Sequence, residues 1–129
     1  MRHTPPEYVE ITPEMRTRLE QFREDHRDDP LGDVANCVLW EDDVLRIWEM
    51  KLEPGEHSDL HHHSHDYYLV IFSGDQVAGV SPKGSGVEPF VGRVPPQGNT
   101  VAIPKGGTEW AWNVGSETYH EILIELKNT

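Results

Sequence analysis

Residues 55–74, GEHSDLHHHSHDYYLVIFSG, carry the pattern that decides the fold and the chemistry of this chain. Five of the eight histidines fall between positions 57 and 65. If this stretch is a β-strand, alternate residues share a face, so His61 and His63 point one way and His62 the other. Imidazole nitrogens bind metals at about 2.0–2.1 Å, so two histidines on one face can converge on a single ion. An exposed, solvated histidine-rich edge is the alternative interpretation.

The sequence around this stretch predicts an all-β domain. From Ala35 onward the hydrophobic period is two, and clusters of Gly, Pro, Asn and Asp separate short runs of β-branched and aromatic residues. Many short strands without helices between them are typical of a sandwich or a closed barrel. The expected strands lie near residues 35–40, 43–52, 58–64, 66–73, 76–81, 89–94, 99–103, 108–114 and 119–127.

One amphipathic helix is predicted ahead of the strands. Met15, Leu19 and Phe22 recur at intervals of three or four residues and form a narrow apolar stripe, while the other sides of this segment are charged. We therefore expect a surface helix that packs on a larger body. The chain divides into an N-terminal arm and helix, residues 1–34, and a barrel, residues 35–129.

Two longer motifs resemble those of the cupin superfamily, which are G-x5-H-x-H-x3/4-E-x6-G and G-x5-P-x-G-x2-H-x3-N. Their positions fall on Gly55, His61, His63, Tyr67 and Gly74, and on Gly98, Pro104, Gly106, Glu109 and Asn113. The string HHHSHDY, residues 61–67, also resembles the H-x-H-x-H-D-Y variant found in some small single-domain cupins. The resemblance to the RmlC-like cupin superfamily covers roughly residues 43–127.

This resemblance implies a double-stranded β-helix, the jelly-roll barrel of cupins, with a divalent metal ion inside and often a homodimer. Two positions depart from the motifs, because Tyr67 stands in place of a glutamate and Glu109 in place of a histidine. If both face the interior, the implied metal ligands are His61, His63 and Glu109. Two imidazoles and one carboxylate accept Fe2+, Zn2+, Ni2+, Mn2+ or Co2+. The alternative is a barrel that has lost its metal, with the carboxylate paired to a histidine.

Five further residues are candidates for the site. Tyr67 can act as a distant fourth ligand or a proton donor, and His65 is the second acid–base candidate, with a loop position as its alternative. Arg46 lies on the more apolar face of its strand and can bind a substrate carboxylate there, although a salt bridge at the rim is the alternative. His57 has the parity of the metal-binding histidines and is expected at the barrel mouth. Asn113 has the parity of the implied carboxylate ligand and can reach a substrate.

Composition excludes several classes of protein. The 129 residues include 11 basic and 23 acidic ones, a net charge of −12, so we expect no binding to nucleic acid or to anionic membranes. A single cysteine excludes an internal disulfide framework and a cysteine-based zinc site. The longest apolar run, residues 67–72, is far too short to span a bilayer, and no apolar segment near Met1 indicates a secretory signal. We therefore expect a cytoplasmic protein.

Three functions are compatible with these features. The favoured one is a metal-dependent enzyme that acts on a small molecule by oxygenation, isomerisation or lyase chemistry. The second is a metal-free isomerase or epimerase in which a histidine and Tyr67 shuttle protons. The third is a non-catalytic module that binds or senses a small ligand.

Two adjacent tryptophan positions suggest an assembly. Trp110 and Trp112 point out of the predicted barrel, and a pair of outward tryptophans should not face water. A second layer or a partner subunit must therefore cover them. We expect a homodimer with these tryptophans or the N-terminal arm at its interface.

Overall fold

The computed structural model describes residues 7–94 and 99–129, and within them the chain forms ten strands and one helix. In chain order these elements are β1 (Glu7–Val9), α1 (Pro13–Asp25), β2 (Cys37–Glu41), β3 (Leu45–Leu52), β4 (His61–His62), β5 (Tyr67–Ser73), β6 (Gln76–Val80), β7 (Phe90–Arg93), β8 (Asn99–Ile103), β9 (Thr108–Asn113) and β10 (Tyr119–Leu126). The described helix is too short and too polar to cross a membrane.

Two antiparallel five-stranded sheets enclose the core. Sheet I has the order β1-β7-β6-β9-β4 and sheet II the order β2-β3-β10-β5-β8. The chain passes repeatedly from one sheet to the other, so strands distant in sequence become neighbours, as in a jelly roll. Buried side chains fill the space between the sheets, among them Trp48, Met50, Leu52, Ile71 and Leu123. The all-β jelly roll with one N-terminal helix is therefore confirmed.

The histidine strand is shorter than expected. All nine strands predicted after residue 35 are present, but β4 comprises His61–His62 rather than residues 58–64. The Ser58 hydroxyl accepts a hydrogen bond of 2.9 Å from the backbone N–H of Ala111, a residue of the neighbouring strand β9. The Ser58 hydroxyl thus accepts a hydrogen bond that a backbone carbonyl oxygen would accept in a longer strand. Regular strand pairing begins only at His61.

Helix α1 covers the outer face of sheet I. Its N-cap is Thr12, and the buried side chains of Leu19 and Phe22 face the sheet. The Phe22 ring stacks on Trp112 with centroids 4.5 Å apart and meets Trp110 edge-on at 5.5 Å. Trp110 is 1% exposed. Of the two expected covers, a second layer or a partner subunit, the structure shows the first, and that layer is this chain's own helix.

Part of the expected N-terminal arm joins the barrel. Residues 1–6, like Gly98 of the second motif, lie outside the described residues. Strand β1 follows them and pairs antiparallel with β7, so it forms one edge of sheet I. This strand carries Tyr8 next to the mouth of the barrel, where its ring meets Phe90 edge-on at 5.3 Å.

The outer face of sheet II is apolar and has no cover among the described elements. One row of paired residues crosses all five strands, namely Trp40, Ile47, Ile124, Tyr68 and Ala102. From the usual strand spacing and rise per residue, this face measures roughly 500 Å², so two copies packed face to face would bury roughly 1,000 Å², the lower end for specific interfaces. The row is uncharged and the nearby Glu49 pairs with His120, whereas the chain as a whole is strongly acidic, so a second copy of this face is the partner that fits it. The homodimer stays a prediction, and this face is the surface on which we expect it to form.

Changing Ile124 to Lys should prevent dimerisation, because the charge would lie in the middle of an interface whose opposing row offers no carboxylate. The matched control is Gln21→Lys, which adds the same charge to the exposed side of α1. Sedimentation velocity should show a wild-type dimer that strengthens with added salt, since salt screens the repulsion between two acidic chains. Wild-type protein that remains monomeric at high protein and salt concentrations would contradict this assignment.

Candidate metal centre

Three side chains from the sequence prediction converge inside the barrel. His61 in β4 is paired directly with Glu109 in β9, and His63 follows β4 by one residue. Each residue offers one ligand atom, and these atoms all lie within 4.8 Å of one another. His61 and His63 are buried, whereas His62 points outward, where its Nδ1 lies 2.7 Å from the Thr108 hydroxyl. Strand parity predicted these three orientations correctly.

The backbone holds His63 in place although β4 has already ended. Its N–H donates to the carbonyl oxygen of Gly107, and its own carbonyl oxygen accepts from the N–H of Gly106, both at 2.8 Å. Gly106 has a φ of 115°, in the region that favours glycine. The turn before β9 therefore fixes the second histidine relative to the strand that carries Glu109.

The tautomer of His61 is fixed by its backbone contact. Its Nδ1 lies 2.9 Å from the carbonyl oxygen of Asp59. A carbonyl can only accept, so Nδ1 carries the hydrogen and Nε2 keeps its lone pair. Burial lowers the pKa of His61, which keeps the ring neutral. Asp59 lies close to the histidines in the sequence. Its backbone carbonyl, and not its carboxylate, orients the His61 ring.

His63 carries a buried nitrogen without a partner. Its ring stacks on the Tyr67 ring with centroids 4.0 Å apart and planes inclined by 14°. Its Nδ1 has no hydrogen-bond partner among the described residues, which is uncommon for a buried polar atom. Burial lowers the pKa of His63 to about 3, so the ring is neutral at physiological pH. A neutral imidazole is the form that ligates metals.

The Glu109 carboxylate lies between the two histidines and β6. Its Oε1 is 3.8 Å from His63 Nε2, and no described residue donates a hydrogen bond to it. Gly79 provides the space, because a Cβ there would stand 2.8 Å from Glu109 Oε2 and 2.4 Å from the Phe90 ring. Burial raises the pKa of Glu109 to about 7. A carboxylate without donors in an apolar wall is stabilised by a cation, so this donor set fits a divalent metal.

The three residues border a cavity of about 110 Å³ between the sheets. Most of its lining is apolar, including Met50, Leu69 and Val101. Four residues of its wall, Tyr67, Phe90, Ile103 and Glu109, also line a larger open cleft of about 620 Å³ at the barrel mouth. The cleft therefore provides a route from solvent to the triad.

The cavity wall opposite the triad contains two polar residues that the sequence analysis missed. The Tyr119 hydroxyl donates a 2.8 Å hydrogen bond to Oε2 of Glu121, and both side chains are buried. Burial and the nearby Glu109 charge raise the pKa of Glu121 to about 7. The alternation of β10 could have shown this face, but the apolar residues on its other face, such as Ile122, look like the interior in the sequence.

Of the five further candidates, the structure brings Tyr67 to the cavity. His65 is partly buried and its Nδ1 has no partner among the described residues, but it does not line the cavity. Arg46 forms a 2.8 Å salt bridge with Glu41. His57 packs against the outer helix, its ring centroid 5.2 Å from that of Phe22.

Asn113 has a structural environment. It is 1% exposed, and its side-chain amide donates to the carbonyl oxygens of Leu52 and Glu117. Its side-chain oxygen accepts from the N–H of Gly115. These bonds tie the end of β9 to two neighbouring segments, away from the cavity.

No family model and no curated protein matches this chain. Among solved structures, it is similar to a cupin domain from Bordetella pertussis, with a TM-score of 0.62 and 19% identity over 74% of this chain and 99% of that one. The fold is that of a cupin domain. A Klebsiella pneumoniae protein with a double-stranded β-helix domain is also similar, with a TM-score of 0.57 and 17% identity over 81% of this chain and 86% of that one.

The same fold occurs in a protein that has manganese centres. A structure of Bacillus subtilis oxalate decarboxylase, described for its Mn(II) centres, matches with a TM-score of 0.51 and 18% identity. The match covers 67% of this chain and 22% of that one. The cupin resemblance seen in the two motifs is thus confirmed at the level of the fold.

Replacing Glu121 with Gln should change how stability depends on pH. Because its pKa rises from 4.5 to about 7 on folding, the native protein retains a proton that the unfolded chain releases. The wild-type carboxyl therefore destabilises the fold progressively as the pH rises through this window. The free energy of unfolding of Glu121→Gln, minus that of wild type, should therefore grow by about 3 kcal/mol as the pH rises from the lower to the upper end of this window.

Urea unfolding of the metal-free protein at several pH values between about 4 and 8 measures this difference. Glu117→Gln, which changes an exposed glutamate, is the control and should follow the wild-type profile. Parallel profiles for Glu121→Gln and wild type would show that Glu121 titrates alike in the folded and unfolded chains.

Proposed function

We propose that this cupin domain binds one divalent metal ion through His61, His63 and Glu109 and acts with it on a small molecule. The observation that carries the proposal is the convergence of three ligand atoms within 4.8 Å at the wall of the cavity between the sheets. Two neutral imidazoles and one carboxylate give a set that leaves further coordination positions open. The accessible cleft next to the triad supports an enzyme rather than a purely structural ion.

A metal bound at this site would act as a Lewis acid on a carbonyl or carboxylate oxygen, or activate water or O2. The chain itself supplies orientation and exclusion of water. The Asp59 carbonyl orients His61, and the apolar cavity wall keeps solvent from the reacting group. Fe2+, Zn2+, Ni2+, Mn2+ and Co2+ all suit this ligand set, and the manganese centres described for oxalate decarboxylase supply a precedent on the same fold.

Tyr67 is the candidate proton or hydrogen-bond donor. Burial, together with the charges of Glu109 and Glu121, raises its pKa far above the ordinary value, so its phenol stays protonated. A protonated phenol donates a hydrogen bond to a substrate oxygen but is a poor metal ligand. Stacking on His63 holds its ring beside the triad. This role favours Tyr67 over His65, which does not line the cavity.

The partner that fits the site is a small molecule. The cavity of about 110 Å³ lies inside the barrel, where a polymer cannot enter. The net charge of −12 opposes binding to nucleic acids and anionic membranes. Substrate entry is proposed through the cleft lined by Tyr8, Val87 and Phe90.

Glu109→Gln tests the ligand set, because it keeps the shape of the side chain and removes its charge. A dication held by neutral imidazoles alone would lack an anionic partner, so the affinity should fall by about one to two decades. The control is His62→Gln, which removes an outward imidazole and should leave the affinity unchanged. Proteins without a purification tag are titrated with each metal in competition with a chelator. Equal affinities of Glu109→Gln and wild type would refute the proposed ligand set.

Gly79→Ala should weaken metal binding without changing any ligand. The added methyl group would stand 2.8 Å from Glu109 Oε2 and 2.4 Å from Phe90, so the carboxylate or the ring must move. We expect an affinity loss of about tenfold, as for other groups that orient metal ligands.

Gly92→Ala, in the adjacent strand β7, is the matched control. There the nearest atom would lie 3.7 Å from the new methyl group, an ordinary contact. Metal affinity measured by the same chelator competition should match wild type for Gly92→Ala. Equal affinities of the two alanine variants would show that Gly79 does not position Glu109.

A further inference from the structure

We propose that Glu121 and Tyr119 form a second binding site inside the barrel, which accepts a hydrogen bond from the hydroxyl or amino group of a small, otherwise apolar substrate. This site lies on sheet II, across the cavity from the triad on sheet I. The second site adds to the proposed function. It depends on that function in one respect, namely that the other end of the substrate would carry the oxygen that binds the metal.

Glu121 occupies an apolar part of the wall. It is 3% exposed, and its backbone is paired with Met50 on one side and Ile71 on the other. The Tyr119 hydroxyl donates to Oε2, but no described residue donates to Oε1 or forms an ion pair with this carboxyl. Because Glu121 lines the cavity, this oxygen can accept a hydrogen bond from a donor that arrives with a ligand.

A second buried glutamate on the same strand provides a comparison, because protein side chains satisfy its carboxyl. Glu125 is 4% exposed and faces the same way. The Trp48 indole N–H donates to its Oε1, and an Arg46 guanidinium nitrogen lies 3.8 Å from the same oxygen. Glu125 is thus partnered and does not line the cavity, whereas Glu121 lines it and keeps one oxygen available.

The lining of the cavity limits the rest of the ligand. Apart from the triad, Tyr67, Tyr119 and Glu121, the wall is aliphatic or aromatic except for Arg93, whose exposed side chain pairs with Glu7. A dry cavity of roughly 150 Å³ in another protein holds benzene, so a body of six or seven heavy atoms would fill this volume of about 110 Å³ and extend into the adjoining cleft. The expected substrate class is a short molecule with a carboxylate or carbonyl oxygen at one end and a hydroxyl or amine at the other.

Phenol and toluene test the second site without reference to the metal, because they share a shape and differ in one hydrogen-bond donor. Wild-type protein, with and without metal, is titrated with each probe by calorimetry or ligand-observed NMR. Phenol should bind in the cavity, and Glu121→Leu should lower the ratio of phenol affinity to toluene affinity by at least about tenfold. Comparing ratios cancels the different hydration of the two probes. Glu121→Gln, which keeps an acceptor oxygen, should retain most of the preference.

A second variant guards against misfolding. Glu121→Leu leaves the Tyr119 hydroxyl without its acceptor, so the double variant Tyr119→Phe, Glu121→Leu removes both partners together. It should show the same loss of preference and a cooperative unfolding transition. Absence of phenol binding to wild type, or an unchanged ratio in a folded variant, would overturn the second site.

Metal analysis separates this proposal from the proposed function. Glu121 is not among the three ligands, so the metal content of its variants should equal that of wild type. If no protein binds metal but the phenol preference still depends on Glu121, the metal site fails and the second site stands. If all variants bind metal and the ratio is unchanged, the second site fails and the metal site stands.

Discussion

The pairing of His61 with Glu109 across β4 and β9 is the contact on which the site depends. It is a ladder contact between two short segments, and it puts an imidazole and a carboxylate side by side on the inner face of sheet I. Everything around it keeps that register. Ser58 ends the irregular approach to β4, the Gly106–Gly107 turn holds His63, and Gly79 leaves room for the carboxylate.

The interior of the barrel is unusual in its balance of charge. Glu109, Glu121 and Glu125 all face inward, and the cationic side chain near them is Arg46, which lies beside Glu125. Burial keeps both cavity histidines neutral. Arg93 also lines the cavity, but its side chain is exposed and pairs with Glu7, so the buried polar groups of the cavity are acceptors and neutral nitrogens. Such an interior is completed by positively charged or hydrogen-bond-donating ligands.

Strand parity and turn chemistry were sufficient to predict much of this molecule. They predicted the number and approximate positions of the strands after residue 35 and the opposite orientations of His62 and its neighbours. Glu109 entered through the resemblance to cupin motifs, because no local pattern links it to a histidine 48 positions earlier (109 − 61). Parity failed to identify the inner face of β10, since Ile122 and Ile124 make the outer face the more hydrophobic one. The cover over Trp110 depended on how α1 packs, which is a tertiary property.

The separation of β4 and β9 in the sequence has a consequence for how the protein folds. Hairpin-like neighbours such as β6 and β7 can form early, but β4 joins β9 through two residue pairs, after the intervening chain has crossed between both sheets. Closing so long a loop costs conformational entropy before the contacts between the two segments repay it, so we expect this junction to form late. A metal ion bound by residues of both strands would stabilise that junction. Its presence would slow unfolding, and the lifetime of the folded barrel would then depend on the supply of metal in its surroundings.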